Sequence, residues 1–126
     1  MKPEARRAVA RRAAAARWIR KRFGSSSFEA LGLPGGDLVD AGLVDLAQEK
    51  ASVESFLVSL AAPRLRREGV PLAGPILTEP EDRLFDLLAR TAGGLAHARY
   101  NAYLRQMSSF ADACRMARID RERRAS

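Results

Sequence analysis

Residues 96–117 read AHARYNAYLRQMSSFADACRMA, and Ala96, Tyr100, Tyr103, Met107, Phe110, Cys114 and Ala117 recur within them at alternating intervals of four and three. That interval averages one helical turn, so the seven side chains fall on one stripe of an α-helix. A strand would return a residue to the same face at every second position instead. A seam of this kind packs along another helix, and it predicts an all-α fold with this segment in the core.

The rest of the chain punctuates into helices of the same kind. Thr78 followed by Glu81 has the wording of a capping box, in which the threonine oxygen accepts a backbone N–H and the glutamate returns the bond. The helix it opens buries Leu84, Leu87 and Leu88 and stops at Gly93-Gly94. Residues 69–78, GVPLAGPILT, set Gly and Pro among apolar residues and read as an extended loop lying on the core. Further upstream, Ser52 caps a helix carrying Val53, Phe56, Leu57, Leu60 and Ala61. Pro63 lacks a backbone donor and predicts a kink or restart there. Asp37 reads as the N-cap of a helix over residues 38–48 that turns Val39, Leu43, Leu46 and Ala47 inward. Before it, GSSSFEALGLPGGD (24–37) is a connection that Phe28, Leu31 and Leu33 can anchor.

The first segment runs from Pro3 to Phe23, with Pro near its start and Gly24 after its end. Its apolar stripe, Ala5, Val9, Ala13, Ala16, Ile19 and Phe23, is mostly alanine and buries little area. The expected architecture is a compact bundle of about five helices with a long basic N-terminal helix. Residues 1–23 form a basic amphipathic arm, 24–119 the bundle and 120–126 a frayed basic tail. The full 126 residues suffice for one modest core.

Charge is divided unevenly. Residues 1–23 hold nine cationic side chains and one acid, residues 24–94 six and eleven, and residues 95–126 seven and three, for a net charge of +7. Such a balance points to an acidic partner, whether nucleic acid, anionic lipid or an acidic protein surface. The acidic middle of the same chain is a rival partner for the arm. One cysteine excludes an intramolecular disulfide and a zinc site built on several thiolates, which implies a reducing, cytoplasmic setting. No run approaches the roughly 18 apolar residues of a membrane span, and no apolar stretch follows the basic start.

The groups that enzymes use are scarce. Cys114 and His97 are the only residues of their types and lie seventeen residues apart on one helix, a separation of about 25 Å at 1.5 Å per residue. Clustered metal ligands and phosphate-binding glycine patterns are absent. No catalytic residue, metal or cofactor is therefore assigned. Asp37, Asp40, Asp45, Glu79, Glu81, Asp82 and Asp86 fit helix first turns, where carboxylates meet the positive end of the dipole. Arg90 and His97, in RTAGGLAH, resemble the arginine–histidine motif of the HEPN ribonucleases. That family needs both side chains on a continuous helix, and Gly93-Gly94 departs from it.

On the arm, Arg7, Arg11, Arg17, Trp18, Lys21 and Arg22 lie on or near a face turned away from the apolar stripe. Arginines there can neutralise phosphates while the indole stacks on a base. The same residue types are enriched at protein hot spots, and they also occur on plainly solvated helices. Arg64, Arg66 and Arg67 form a second cluster, at a helix end whose dipole favours cations.

The wording GLVDLAQEKASVESFLVSLAAPRLRREG, then EPEDRLFDLL and AHARYNAYLRQMSSF, resembles small bacterial helical proteins associated with nucleotidyltransferase-type toxins. The resemblance spans Gly42 to Phe110. It excludes the basic arm and implies an antitoxin or accessory partner of such an enzyme. A separate physical expectation is that the basic helix with its aromatic residue occupies the acidic cleft and neutralises the enzyme by direct binding.

Overall fold

The computed structural model describes residues 3–72 and 75–125, and every regular element among them is helical. In chain order these are α1 (Pro3–Phe23), α2 (Gly36–Ala47), α3 (Val53–Arg67), α4 (Pro80–Ala92) and α5 (Ala96–Ala125). A turn of 3-10 helix, Gly93–Leu95, joins the last two.

The seam of residues 96–117 is core. Ala96, Met107, Phe110 and Cys114 are buried, and Tyr100 and Tyr103 pack against the cluster from its edge. Phe110 meets Phe28 edge to face at 5.0 Å, and Phe28 meets Phe23 in the same way at 5.2 Å. Edge-to-face contact sets the positive rim of one ring against the negative face of the next. These three rings join α1, the 24–35 connection and α5. Val39, Leu43, Leu46 and Ala47 of α2 are buried, as are Phe56, Leu57, Val58 and Leu65 of α3 and Leu84 and Leu88 of α4. Helices α2 and α3 approach closely at Gly42, where the backbone of Glu54 and the side chain of Val58 fill the space a side chain would need.

Local chemistry departs from the sequence reading at several helix ends. Glu79, in the left-handed region at φ 48°, precedes α4 and makes no side-chain cap bond. The Thr78–Glu81 box does not form. Pro80 opens the helix and has no N–H to satisfy. Gly35, likewise left-handed, precedes α2, so Asp37 falls inside the first turn instead of capping it. The capping box that does form joins Ser52 and Ser55, each bonding the other's backbone N–H. Helix α3 continues through Pro63 as one element, with the proline exposed between buried Ala62 and Leu65. Burial on both sides outweighs the one bond a proline removes. Ala73 and Gly74 of the expected loop lie outside the described residues; Val70 before them is buried, and Leu77 after them donates its N–H to Ser59 Oγ. Helix α5 runs to Ala125, through the segment that the sequence suggests is frayed.

The arm is packed down as α1, and its buried stripe is rotated from the expected one. Ala8, Ala15, Ile19 and Phe23 face the core, whereas Val9 is 54% exposed and Ala5 and Ala13 are also outside. With alanine on every side, the short chains cannot fix the rotation. Ile19 and Phe23 fix it, since each large apolar side chain contributes about 1.5–3 kcal/mol when buried. The same rotation turns Arg11 inward, where it donates to the Ala47 carbonyl at the end of α2. Terminal carbonyls of a helix lack intrahelical donors, so this guanidinium acts as a cap.

Candidate functional site

The carboxyl ends of α1 and α3 meet each other and both lie against the carboxyl-terminal half of α5. A Cβ built on Gly69, just past α3, would stand 2.6 Å from Nε of Arg22 on α1, and one built on Gly24, just past α1, 2.6 Å from a guanidinium nitrogen of Arg121 on α5. Arg64 and Asp112 pair across α3 and α5. Each of the three helices carries cations in its last turn: Arg20, Lys21 and Arg22; Arg64, Arg66 and Arg67; Arg123 and Arg124. Arg118 and Arg121 precede the last of these on α5. The two basic clusters recognised in the sequence are therefore parts of one basic end, and the tail supplies its third part.

Helix carbonyl ends carry partial negative charge, which a few cations offset. The cations here exceed that role in number. Among the described residues, the side-chain cations of Arg7, Arg12, Arg17, Arg20 and Lys21 form no hydrogen bond or ion pair. Arg22 lies 5.3 Å from the centre of the Trp18 ring, within cation–π range. Trp18 is 43% exposed.

Beneath this surface lies one acid. Glu68, which follows α3, is buried, and its Oε2 lacks a hydrogen-bond partner among the described residues. Its charge helps raise the neighbouring Cys114 thiol, already raised chiefly by burial, to about 12, while Arg118 acts in the opposite sense. Cys114 is thus a protonated core residue, unsuited to nucleophilic chemistry at neutral pH.

The chain matches no protein-family model, no curated protein and no solved structure.

The remaining sequence candidates are placed apart. Arg90 lines a shallow cleft with Ala51, Phe56, Arg83, Asp86 and Leu87. His97 packs across the Gly93–Leu95 turn against Phe85, ring centres 6.3 Å apart, on the α4–α5 surface. The residues stand on separate helices and meet different neighbours. Tyr100 also packs on Phe85, and its phenol is shifted above its ordinary range by burial and by the charges of Glu81 and Asp82. No group of three or more His, Cys, Asp or Glu able to hold a metal occurs among the described residues. No helix among them is long and apolar enough to cross a membrane.

A second surface feature follows from the rotation of α1. Val9, Ala13 and Ala16 leave a groove of about 370 Å³ against Leu43 and Val44 of α2, rimmed by Arg12 and Asp40. Alanines are too short to close the space between the two helices. Arg118 and Arg121 escaped the sequence reading as site residues. The excess charge of residues 95–126 hinted at them, but the contact of Arg121 with the end of α1 depends on packing, and Arg118 is paired with Glu122 on α5.

Proposed function

We propose that this protein is a non-enzymatic, cytoplasmic binding module that takes up a nucleic acid on the basic end of its bundle. The observation that carries the reading is the meeting of cation-bearing segments of α1, α3 and α5, remote in sequence, with Trp18 exposed beside Arg22 on α1. Arginines so disposed neutralise successive phosphates and release their counterions. Fluorescence anisotropy of labelled oligonucleotides across a salt series tests it. Six phosphate contacts to a single strand correspond to a slope of about −4 in log K against log salt. Arg121→Glu on α5 and the pair Arg66→Glu, Arg67→Glu on α3 should each weaken binding and flatten that slope. Unchanged binding in the Arg121→Glu protein would refute a shared surface.

The α1–α2 groove supports a second reading, the antitoxin-like one, in which the basic, grooved face seats against an acidic-clefted nucleotidyltransferase-type toxin. An apolar groove with one cation and one carboxylate on its rim suits a protein side chain better than a phosphate. Val9→Glu should abolish inhibition of nucleotide transfer under this reading and leave oligonucleotide affinity intact.

A further inference from the structure

We infer that Trp18 is a stacking platform for an unpaired base, which makes the bound nucleic acid single-stranded; the inference rests on the nucleic-acid reading of the basic end. The core does not need the indole. Ile19 and Phe23 anchor that part of α1, and Phe23 continues into the Phe28–Phe110 stack, while Trp18 stays 43% exposed. Leaving a large apolar ring in water has a cost that the fold could have avoided by turning it inward.

What surrounds the ring fits a base better than a protein core. Arg22 covers the indole at 5.3 Å and is itself wedged against Gly69 at the end of α3, so the cation that holds the ring in place is held in turn by a second helix. One turn before Trp18 stands Ala14, exposed and carrying only a methyl group, so nothing bulky from α1 occupies that side. Helical side chains lean towards the amino end, which directs the indole over this vacant turn. Between Ala5 and Phe23 the helix has no carboxylate to repel a phosphate backbone. Lys21 lies on the same flank of the helix and forms no ion pair among the described residues.

An exposed ring beside phosphate-binding cations is what a strand with accessible base faces requires. In a duplex those faces are already stacked on one another, so Trp18 would meet only backbone or groove. The platform therefore discriminates strandedness and not sequence, because every base presents a π-face.

Trp18 is the only tryptophan of the chain, so intrinsic tryptophan fluorescence reports this ring alone. The full-length protein is titrated with a short pyrimidine single strand, with a duplex of equal length and with inorganic polyphosphate as a polyanion without bases. The single strand is expected to quench strongly, and the other two to bind without comparable quenching. Trp18→Ala should weaken single-strand binding about 5- to 100-fold at fixed salt, the range one stacked base supplies, with duplex affinity and salt slope unchanged. Trp18→Phe should retain most of the affinity. Saturating single-strand binding without quenching, or equal losses for single strand and duplex in Trp18→Ala, would overturn the platform while leaving the basic end a nucleic-acid site. Absence of binding to either oligonucleotide would overturn both that site and the inference.

Discussion

Replacing Gly42 by Ala should destabilise the fold, although alanine is the better helix former. The added Cβ would lie 2.4 Å from Val58 Cγ2 and 2.6 Å from the Glu54 carbonyl oxygen. Non-bonded carbons pack at about 3.5–4.0 Å, so the deficit is about 1 Å. Val58 can adjust only slightly, because it is completely buried. The Glu54 carbonyl belongs to the first turn of α3 and cannot move without the helix. Helices α2 and α3 must therefore separate. Overpacking of this kind costs about 1–3 kcal/mol, and a backbone obstacle argues for the upper end. The gain in helix propensity returns about 1 kcal/mol. The net loss is about 2 kcal/mol, equivalent to a fall of about 8 °C in Tm for a domain of this size. Gly94→Ala serves as the control, since nothing lies within 4 Å of its Cβ position and its φ is outside the left-handed region. That change should be neutral or stabilise by up to about 1 kcal/mol. Urea denaturation followed by circular dichroism measures both. A Gly42→Ala protein as stable as the parent would show that the two helices do not cross this closely.

Ser52→Ala removes the Ser52–Ser55 box and the bond from Ser52 Oγ to Asp45, and should lower urea-measured stability by about 1–2 kcal/mol. Asp112→Asn breaks an exposed ion pair, so stability should change by less than about 0.5 kcal/mol. It frees Arg64 at the basic end, and oligonucleotide affinity at low salt should rise. The Cys114 thiol, raised from 9.0 to about 12, binds its proton more tightly in the folded state. Its contribution to stability is complete below about pH 9 and is lost as pH climbs towards 12. Thiol labelling at pH 8 should accordingly track unfolding, and Cys114→Ser should remove that part of the alkaline loss; rapid labelling of the folded protein would contradict its burial.

Periodic segments were legible wherever large apolar residues fixed the period. The alternation from Ala96 to Ala117 describes α5, and Val39, Leu43, Leu46 and Ala47 give the buried face of α2. Alanine blurred the reading of α1: with methyl groups all round, Val9 and Ala8 exchanged roles at little energetic cost, and only Ile19 and Phe23 set the helix on its bed. Helix starts misled where two signals competed. Thr78 and Glu81 have the right spacing for a box, but Pro80 between them fixes the first turn by its own geometry. Arg7, Lys21, Arg64 and Arg66 could be recognised as cationic surface from spacing alone. Their union with Arg121 could not, because it depends on how three helices meet.

Packing also shows how acids in the middle of the chain are employed. Two of the three carboxylates of α2, Asp40 and Asp45, are already engaged locally. Asp40 accepts the N–H groups of Phe28 and Glu29, which fixes the turn beneath the Phe23–Phe28–Phe110 stack. Asp45 accepts the Ser52 hydroxyl at the start of α3. Arg11 of α1 bonds α2 at the Ala47 carbonyl and not at a carboxylate. A carboxylate that caps a turn holds a fixed position, and it can neutralise a cation only if packing brings the cation to it. Helix α1 instead presents Arg7, Arg17 and Lys21 outward, without ion-pair partners among the described residues. The same acids that hold the turns in place thus leave Arg7, Arg17 and Lys21 without ion-pair partners among the described residues, and the bundle sets Gly69 after α3 and Arg121 of α5 beside the end of the helix that carries them.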